Sequence, residues 1–286
     1  MWIVYALIAA FFAGSTSFLA KIGIKDTDSN LATALRTIVV GIFAWVMVFA
    51  VGSQNTIAHI TEKSLVFLVL SGLATGGSWL CYFRALQIGD INKVVPVDKS
   101  STVLTMMLSF ILLNEKFTWI KIIAMILIGI GTYLMIDRKE SKSDPQNGNK
   151  WLLYAVFSAL FASLTAILGK IGIAGVESNL GTAIRTLVVL VMAWLIVFMQ
   201  GKQYKIKDID KRSWIFIGLS GLATGLSWLC FYRALQDGPA SVVVPIDKLS
   251  ILITVAFSSL FLNEKLKKKT AAGLIMIVVG TLSLLI

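Results

Sequence analysis

Apolar residues fill this chain in runs of about 20 residues, each long enough as a helix to cross the hydrocarbon core of a bilayer. Five runs occupy the first half: Trp2–Ile24, Asn30–Val51, Leu65–Leu86, Val94–Leu113 and Trp119–Ile136. Five more follow at Trp151–Ile173, Asn179–Met199, Trp214–Leu235, Val243–Leu262 and Thr270–Ile286. The pattern predicts an all-α integral membrane fold with ten transmembrane helices.

The second set repeats the first. Trp2 matches Trp151, Lys21 matches Lys170, Arg36 matches Arg185, Trp79 matches Trp228, Pro96 matches Pro245 and Glu115 matches Glu264, all at one offset. Roughly 60 of about 137 aligned positions are identical, far beyond chance in an apolar alphabet. The chain therefore divides into a first five-helix repeat over 1–137, a polar basic linker over 138–150 and a second repeat over 151–286. Five crossings are an odd number, so the second repeat enters the membrane from the opposite side. Such inverted repeats build secondary transporters, with a central cavity where the two halves meet.

Composition agrees. The chain is 57% hydrophobic and 14% charged, with a mean hydropathy of +0.84. So few charges cannot cover a soluble protein of this size. The net charge of +11 sits mostly in short loops beside apolar runs, as the positive-inside rule requires, and not on a solvated face suited to nucleic acid. The first run lacks the basic start of a signal peptide, and its counterpart lies inside the chain, so it reads as a membrane helix. Cys81 and Cys230 occupy equivalent positions in apolar runs, and His59 is the one histidine. That inventory holds no metal-ligand spacing and no nucleophile cluster, so neither enzyme, metal nor cofactor is expected.

Equivalent loops carry opposite charge bias. "GSQNTIAHITEK" becomes "GKQYKIKDIDKR", and "NEKFTWIK" becomes "NEKLKKKT", while Lys25 and Lys93 become Ala174 and Val242. The bias places the linker in the cytoplasm and both termini outside.

The charges within the runs are the candidate chemistry. Lys21, Arg36, Arg84, Asp98 and Lys99 fall at one membrane level, and Lys170, Arg185, Arg233, Asp247 and Lys248 at the matching level near the other face. Intramembrane charges cost roughly 2.5–3.5 kcal/mol each and mark bundle interiors or wet cavities. Snorkelling competes for Lys21 and Arg84, and Asp98 could cap a helix starting after Pro96. Each layer sums to about +3, which would draw an anion or the carboxylate of a zwitterion. Asp98 and Asp247 would hold gates. Trp79 and Trp228 would line the cavity or join the interfacial aromatic belt. "GLATG", at Gly72–Gly76 and Gly221–Gly225, reads as close helix packing. Glu115 and Glu264, in "LNEK", read as solvated or paired on the surface.

"ALQIGDINKVVPVDKSS…LLNEK…GIGTYL" and "ALQDGPASVVVPIDKLS…FLNEK…VVGTLS" resemble the EamA-type unit of the drug/metabolite transporter superfamily, over nearly the whole chain. The resemblance implies a ten-helix exporter of amino acids or other metabolites. Small multidrug-resistance relatives carry a glutamate in the first helix; "FFAGSTSF" and "LFASLTAI" have none. Ten-helix relatives usually keep both termini inside, opposite to the charge bias here.

The expectation is a multi-pass cell-membrane transporter that exports a small anionic or zwitterionic metabolite by alternating access. Its partners would be that solute, the bilayer and a coupling ion such as a proton, and it would act as a monomer or weak dimer. A proton-coupled cation or multidrug exporter using Asp98 and Asp247, and a lipid-linked flippase, are the alternatives.

Overall fold

A computed structural model describes residues 1–23, 27–88, 91–135, 150–262 and 268–285. Residues 138–149 of the linker, Glu264, Lys25 and Lys267 lie outside the described residues, as do the side chains of Lys21, Lys93 and Pro96. Among the described residues the structure is all-helical, with no strand.

The first half comprises α1 (Trp2–Gly23), α2 (Ser29–Val51), α3 (Glu62–Ile88), α4 (Ile91–Lys99), α5 (Ser101–Leu112) and α6 (Trp119–Leu134). The second comprises α7 (Lys150–Ile173), α8 (Ser178–Met199), α9 (Lys211–Asp237), α10 (Ala240–Lys248), α11 (Ser250–Leu262) and α12 (Lys268–Ser283). Short 3-10 segments follow α2 at Ser53–His59 and α8 at Gln203–Asp208. Among the described residues, seven helical stretches are long and apolar enough to cross a membrane: α1, α2, α3, α7, α8, α9 and the run through α10 into α11. Large apolar side chains such as Ile42, Phe49, Leu153, Val191 and Ile215 face outward on them. Such a surface is untenable in water and normal against lipid. The chain is a multi-pass membrane protein.

One boundary differs from the sequence reading. The fourth apolar run of each half is two helices, broken at Ser100 and at Leu249. The first piece also starts upstream of the proline. Asp98 and Asp247 therefore lie in the last turn of α4 and α10, and Asp98 caps no helix N-terminus. Pro245 sits inside α10, where it withholds one backbone hydrogen bond.

The seams between halves dominate the packing. The extensive pairs are α1 with α9, α3 with α7, α2 with α8 and α6 with α12. Each of these pairs runs antiparallel. Trp2 meets Gly238, and Ser227 Oγ donates to the Ala9 carbonyl at 3.0 Å. On the matching seam, Ser71 Oγ donates to the Thr165 carbonyl at 2.7 Å and Ser78 Oγ to that of Ser158 at 3.1 Å. The start of α2 meets the end of α8, with Asn30 Nδ2 donating to Gln200 Oε1 at 2.6 Å. The glycines of "GLATG" are the contact points of a second set. Gly72 and Gly76 lie against Val188 and Met192 of α8, and Gly221 and Gly225 against Val39 and Phe43 of α2. These two sets interchange when the halves are exchanged. Small residues let backbones approach closely, which is how helices associate where lipid removes the hydrophobic drive.

An ion pair closes the junction of α2 and α8. Lys202 Nζ lies 2.6 Å from Asp28 Oδ2. Asp28 also caps α2, accepting from the amides of Asn30 and Leu31 at 3.0 and 3.2 Å. Burial pushes the Asp28 carboxyl up, but the Lys202 hydrogen bond and charge and the two amides outweigh it and hold the group below its ordinary value.

Two outcomes follow from this packing. A Cβ on Gly131 would stand 2.6 Å from the carbonyl oxygen of Gly273 on α12, whereas one on Gly218 would meet nothing. Gly131→Val should lower the thermal midpoint in detergent by the equivalent of about 1–3 kcal/mol, with Gly218→Ala neutral or stabilising. An unchanged midpoint for Gly131→Val would refute the close α6–α12 approach. Asp28→Asn keeps a capping oxygen but removes the charge. Because the folded carboxyl is depressed, its contribution is full above the unfolded value of about 3.9 and is lost as pH falls through the folded value. The variant should lose about 1 kcal/mol at neutral pH, and the gap should close in acid. A gap independent of pH would mean the ion pair contributes nothing.

Candidate functional site

The turns after Lys99 and Lys248 are single residues that keep right-handed helical dihedrals, with Ser100 N donating to the Val97 carbonyl at 3.2 Å and Leu249 N to that of Ile246 at 2.9 Å. The backbone is satisfied there, so the chemistry at the turn comes from side chains. Lys99 and Lys248 sit just before these turns, at the ends of α4 and α10. Ser101 and Thr102, at the start of α5, turn toward the second half.

A cavity of about 300 Å³ lies there, at the small end of the range for ligand pockets. The first half contributes Thr75, Trp79, Ser101 and Thr102, and the second contributes Arg185, Trp228, Tyr232, Asp247 and Lys248. The structure thus brings five of the sequence candidates to one place: Trp79, Arg185, Trp228, Asp247 and Lys248.

Arg185 is the most constrained of them. It projects from α8, 2% exposed. Its Nε donates to Ser71 Oγ at 3.0 Å and its Nη2 to Thr75 Oγ1 at 2.6 Å. Both acceptors are on α3, so the contact spans the halves. The guanidinium carbon lies 5.1 Å from the Trp228 ring centre and 4.8 Å from that of Tyr232. Nη1 is buried without a hydrogen-bond partner.

The two aspartates differ. Asp98 accepts from Ser158 Oγ of α7 at 2.6 Å and lies 4.0 Å from Lys99. Asp247 lies 3.8 Å from Lys248, and the residue equivalent to Ser158 is Ala9, which has no hydroxyl to offer. The carboxylates are mostly covered, at 16% and 18% exposure, while Lys99 and Lys248 are open at 55% and 44%. Two cations that stand within the bundle yet remain open to water mark a wet interior.

The remaining candidates lie elsewhere. Lys170 Nζ donates to the carbonyls of Leu235 and Gly238, at 2.8 and 2.5 Å, and so caps the end of α9. Arg233 pairs with Asp237 on its own helix at 3.2 Å. Arg84 is exposed on α3, and Arg36 is half-buried on α2. The side chain of Lys21 is outside the described residues.

Glu115 departs from the sequence reading. It is not a solvated partner of Lys116. It reaches across the halves to the start of α10, accepting from the amides of Ala240 at 2.5 Å and Ser241 at 3.0 Å, and from the Ser241 hydroxyl. Lys121 Nζ donates to the same hydroxyl at 2.9 Å. Gln236 Nε2 binds the carbonyls of Ile173 and Val176 at 2.8 and 2.7 Å. Glu115 and Lys121 thus join the first half to the start of α10, while Gln236 and Lys170 join α9 to α7 within the second half. With about 125 residues between Glu115 and Ala240, no sequence signal pointed to this contact.

The chain matches the model of the EamA-like transporter family twice, over residues 1–137 and 149–286. A transporter of Sinorhizobium sp, described as uncharacterized, is 46% identical over 134 residues, which are 47% of this chain and 95% of that protein. An uncharacterized transporter of Bacillus subtilis, YxxF, is 25% identical over 77% of this chain and 71% of its own length. Human solute carrier family 35 member G1 is 25% identical over 96% of this chain and 76% of its own length. One solved crystal structure superposes with a TM-score of 0.78 at 15% identity, covering 99% of this chain and 96% of the other. The chain belongs to the EamA-like transporter family.

Proposed function

We propose that the protein is a secondary active transporter of the cell membrane that exports a small anionic or zwitterionic metabolite by alternating access. Its ten transmembrane helices form two five-helix repeats, over 1–137 and 151–286, inverted about an axis in the membrane plane and joined by the basic linker 138–150 on the cytoplasmic side. The antiparallel packing of the equivalent helices α2 and α8, and the interchange of the "GLATG" contacts, support the inversion. A relative about half as long supports the single five-helix unit.

The observation that carries the substrate reading is the cavity itself. It is walled by both halves and holds Arg185 and Lys248 against one aspartate. Two cations against one carboxylate favour an anionic group. Asp98 and Asp247 hold the inner ends of the two broken helices. Glu115 and Lys121 join the first half to the start of α10, where charge bias places the outside, and act as the outer gate. Transport requires these ties to break and re-form as the halves rock, with a coupling ion such as a proton as counterpart.

Proteoliposomes loaded with labelled amino acids, carboxylates and amines test the reading. Carboxylates or amino acids should exchange, and Lys99→Gln with Lys248→Gln, or Asp98→Asn with Asp247→Asn, should slow exchange about tenfold or more. Movement of amines alone, lost in the aspartate variant, would make the protein a cation exporter instead. The gate has its own readout. In a chain with Cys81 and Cys230 replaced by serine, Val242→Cys should react slowly with an impermeant maleimide. Adding Glu115→Gln should speed that reaction, and an unchanged rate would remove Glu115 from the gate.

A further inference from the structure

We infer that Arg185 is the single anchor for a carboxylate group of the transported molecule, held on the Nη1–Nη2 edge of its guanidinium. The inference rests on the cavity being the transport site.

An arginine offers five N–H donors. The Nε donor and one Nη2 donor are spent on Ser71 and Thr75. The two donors on Nη1 and the second on Nη2 remain, and these lie side by side. Nη1 is the guanidinium nitrogen without a partner, on a residue that is 2% exposed and lines the cavity. A buried donor without an acceptor is rare in a folded protein and calls for an explanation. An incoming acceptor pair supplies one.

The surroundings select the ligand. The rings of Trp228 and Tyr232 lie over the guanidinium, and Ser71 and Thr75 fix its rotation. The fork is therefore pre-organised, which reduces the entropy lost on binding. A carboxylate is planar and extends the guanidinium plane with two parallel hydrogen bonds. A tetrahedral phosphate would carry oxygens out of that plane, toward the rings. Asp247 and Lys248 line the same cavity, and the counterpart of the Ser158 that engages Asp98 is Ala9. An ammonium on the ligand would find a carboxylate there.

Among the described residues, the first half shows no equivalent fork. Ser220 and Thr224 correspond to Ser71 and Thr75, but they engage the carbonyls of Ile217 and Ser220 at 2.9 and 2.7 Å and, from Thr224, the hydroxyl of Thr16 at 3.3 Å, with no bond to Arg36. Phe83 stands where the second half has Tyr232. Arg36 is thus the internal control for Arg185.

The test is equilibrium binding to the full chain in nanodiscs, read by tryptophan fluorescence and calorimetry. The probes are phenylacetate, L-phenylalanine, phenylacetamide and phenyl phosphate. Phenylacetate or phenylalanine should bind, with phenylacetamide about tenfold weaker or worse. Arg185→Lys keeps the charge but not the fork, and should lose about tenfold for the carboxylates, while Arg36→Lys stays within about twofold. Equal affinity for phenylacetate and its amide would overturn the inference, and this comparison needs no variant to fold. It would also fall if phenyl phosphate bound best, if neither carboxylate bound at millimolar concentration, or if both arginine variants lost affinity equally. Exchange of the same probes in proteoliposomes separates the two readings. Carboxylate exchange with an unaltered KM in Arg185→Lys would refute the anchor alone. Exchange of amines only would refute the transport reading beneath it.

Discussion

Close approach of helices from opposite halves is the constraint on which the architecture depends. Lipid solvates an apolar side chain as well as a neighbouring helix does, so the halves cannot be held by apolar burial alone. They are held where glycine, serine and threonine let backbones meet. Ser71 and Ser78 bond across to α7, Ser227 bonds across to α1, and Gly131 packs on Gly273. The same small residues leave space at the centre. Where larger rings replace them, at Trp79, Trp228 and Tyr232, the seam widens into the cavity.

The cavity's chemistry comes from charged side chains beside a turn in the fourth span. An apolar helix in hydrocarbon satisfies its own backbone and offers nothing to a solute. Asp247 and Lys248, just before the turn at Leu249, bring charge to the cavity wall. Pro245 withholds one bond in α10, and Glu115 engages the amides at its start. The nine-residue helix α10 thus runs from the Glu115 contact at one end of the bundle to Asp247 and Lys248 in the cavity.

Much of this was legible in the sequence. The repeat and the apolar runs come directly from residue order. The turns at Ser100 and Leu249 were not legible, since the short polar stretches around them are enclosed by apolar residues and hydropathy is blind to a single turn. Nor was the start of α4 upstream of Pro96, because the polar residues Asn92 and Lys93 looked like loop. The inequality of the halves was hidden inside the repeat. Ser158 faces Ala9 across the alignment, and Tyr82–Phe83 faces Phe231–Tyr232 in reversed order. Each change is conservative as composition, yet together they give Asp98 a hydroxyl partner and place Tyr232 beside Arg185. Identity between repeats drew attention away from the few positions that differ.

The pairing of α1 with α9 and of α3 with α7 bears on how the chain is made. Each helix of the first half finds its main partner in a segment synthesised much later. Contacts of such long sequence separation form slowly, and domains normally assemble as units while the chain emerges. Here the first half cannot do so. Its serine- and glycine-lined faces must wait in the bilayer until the second half has been inserted. Biogenesis, more than the stability of the finished bundle, is where such a design is most exposed to aggregation and to membrane proteases.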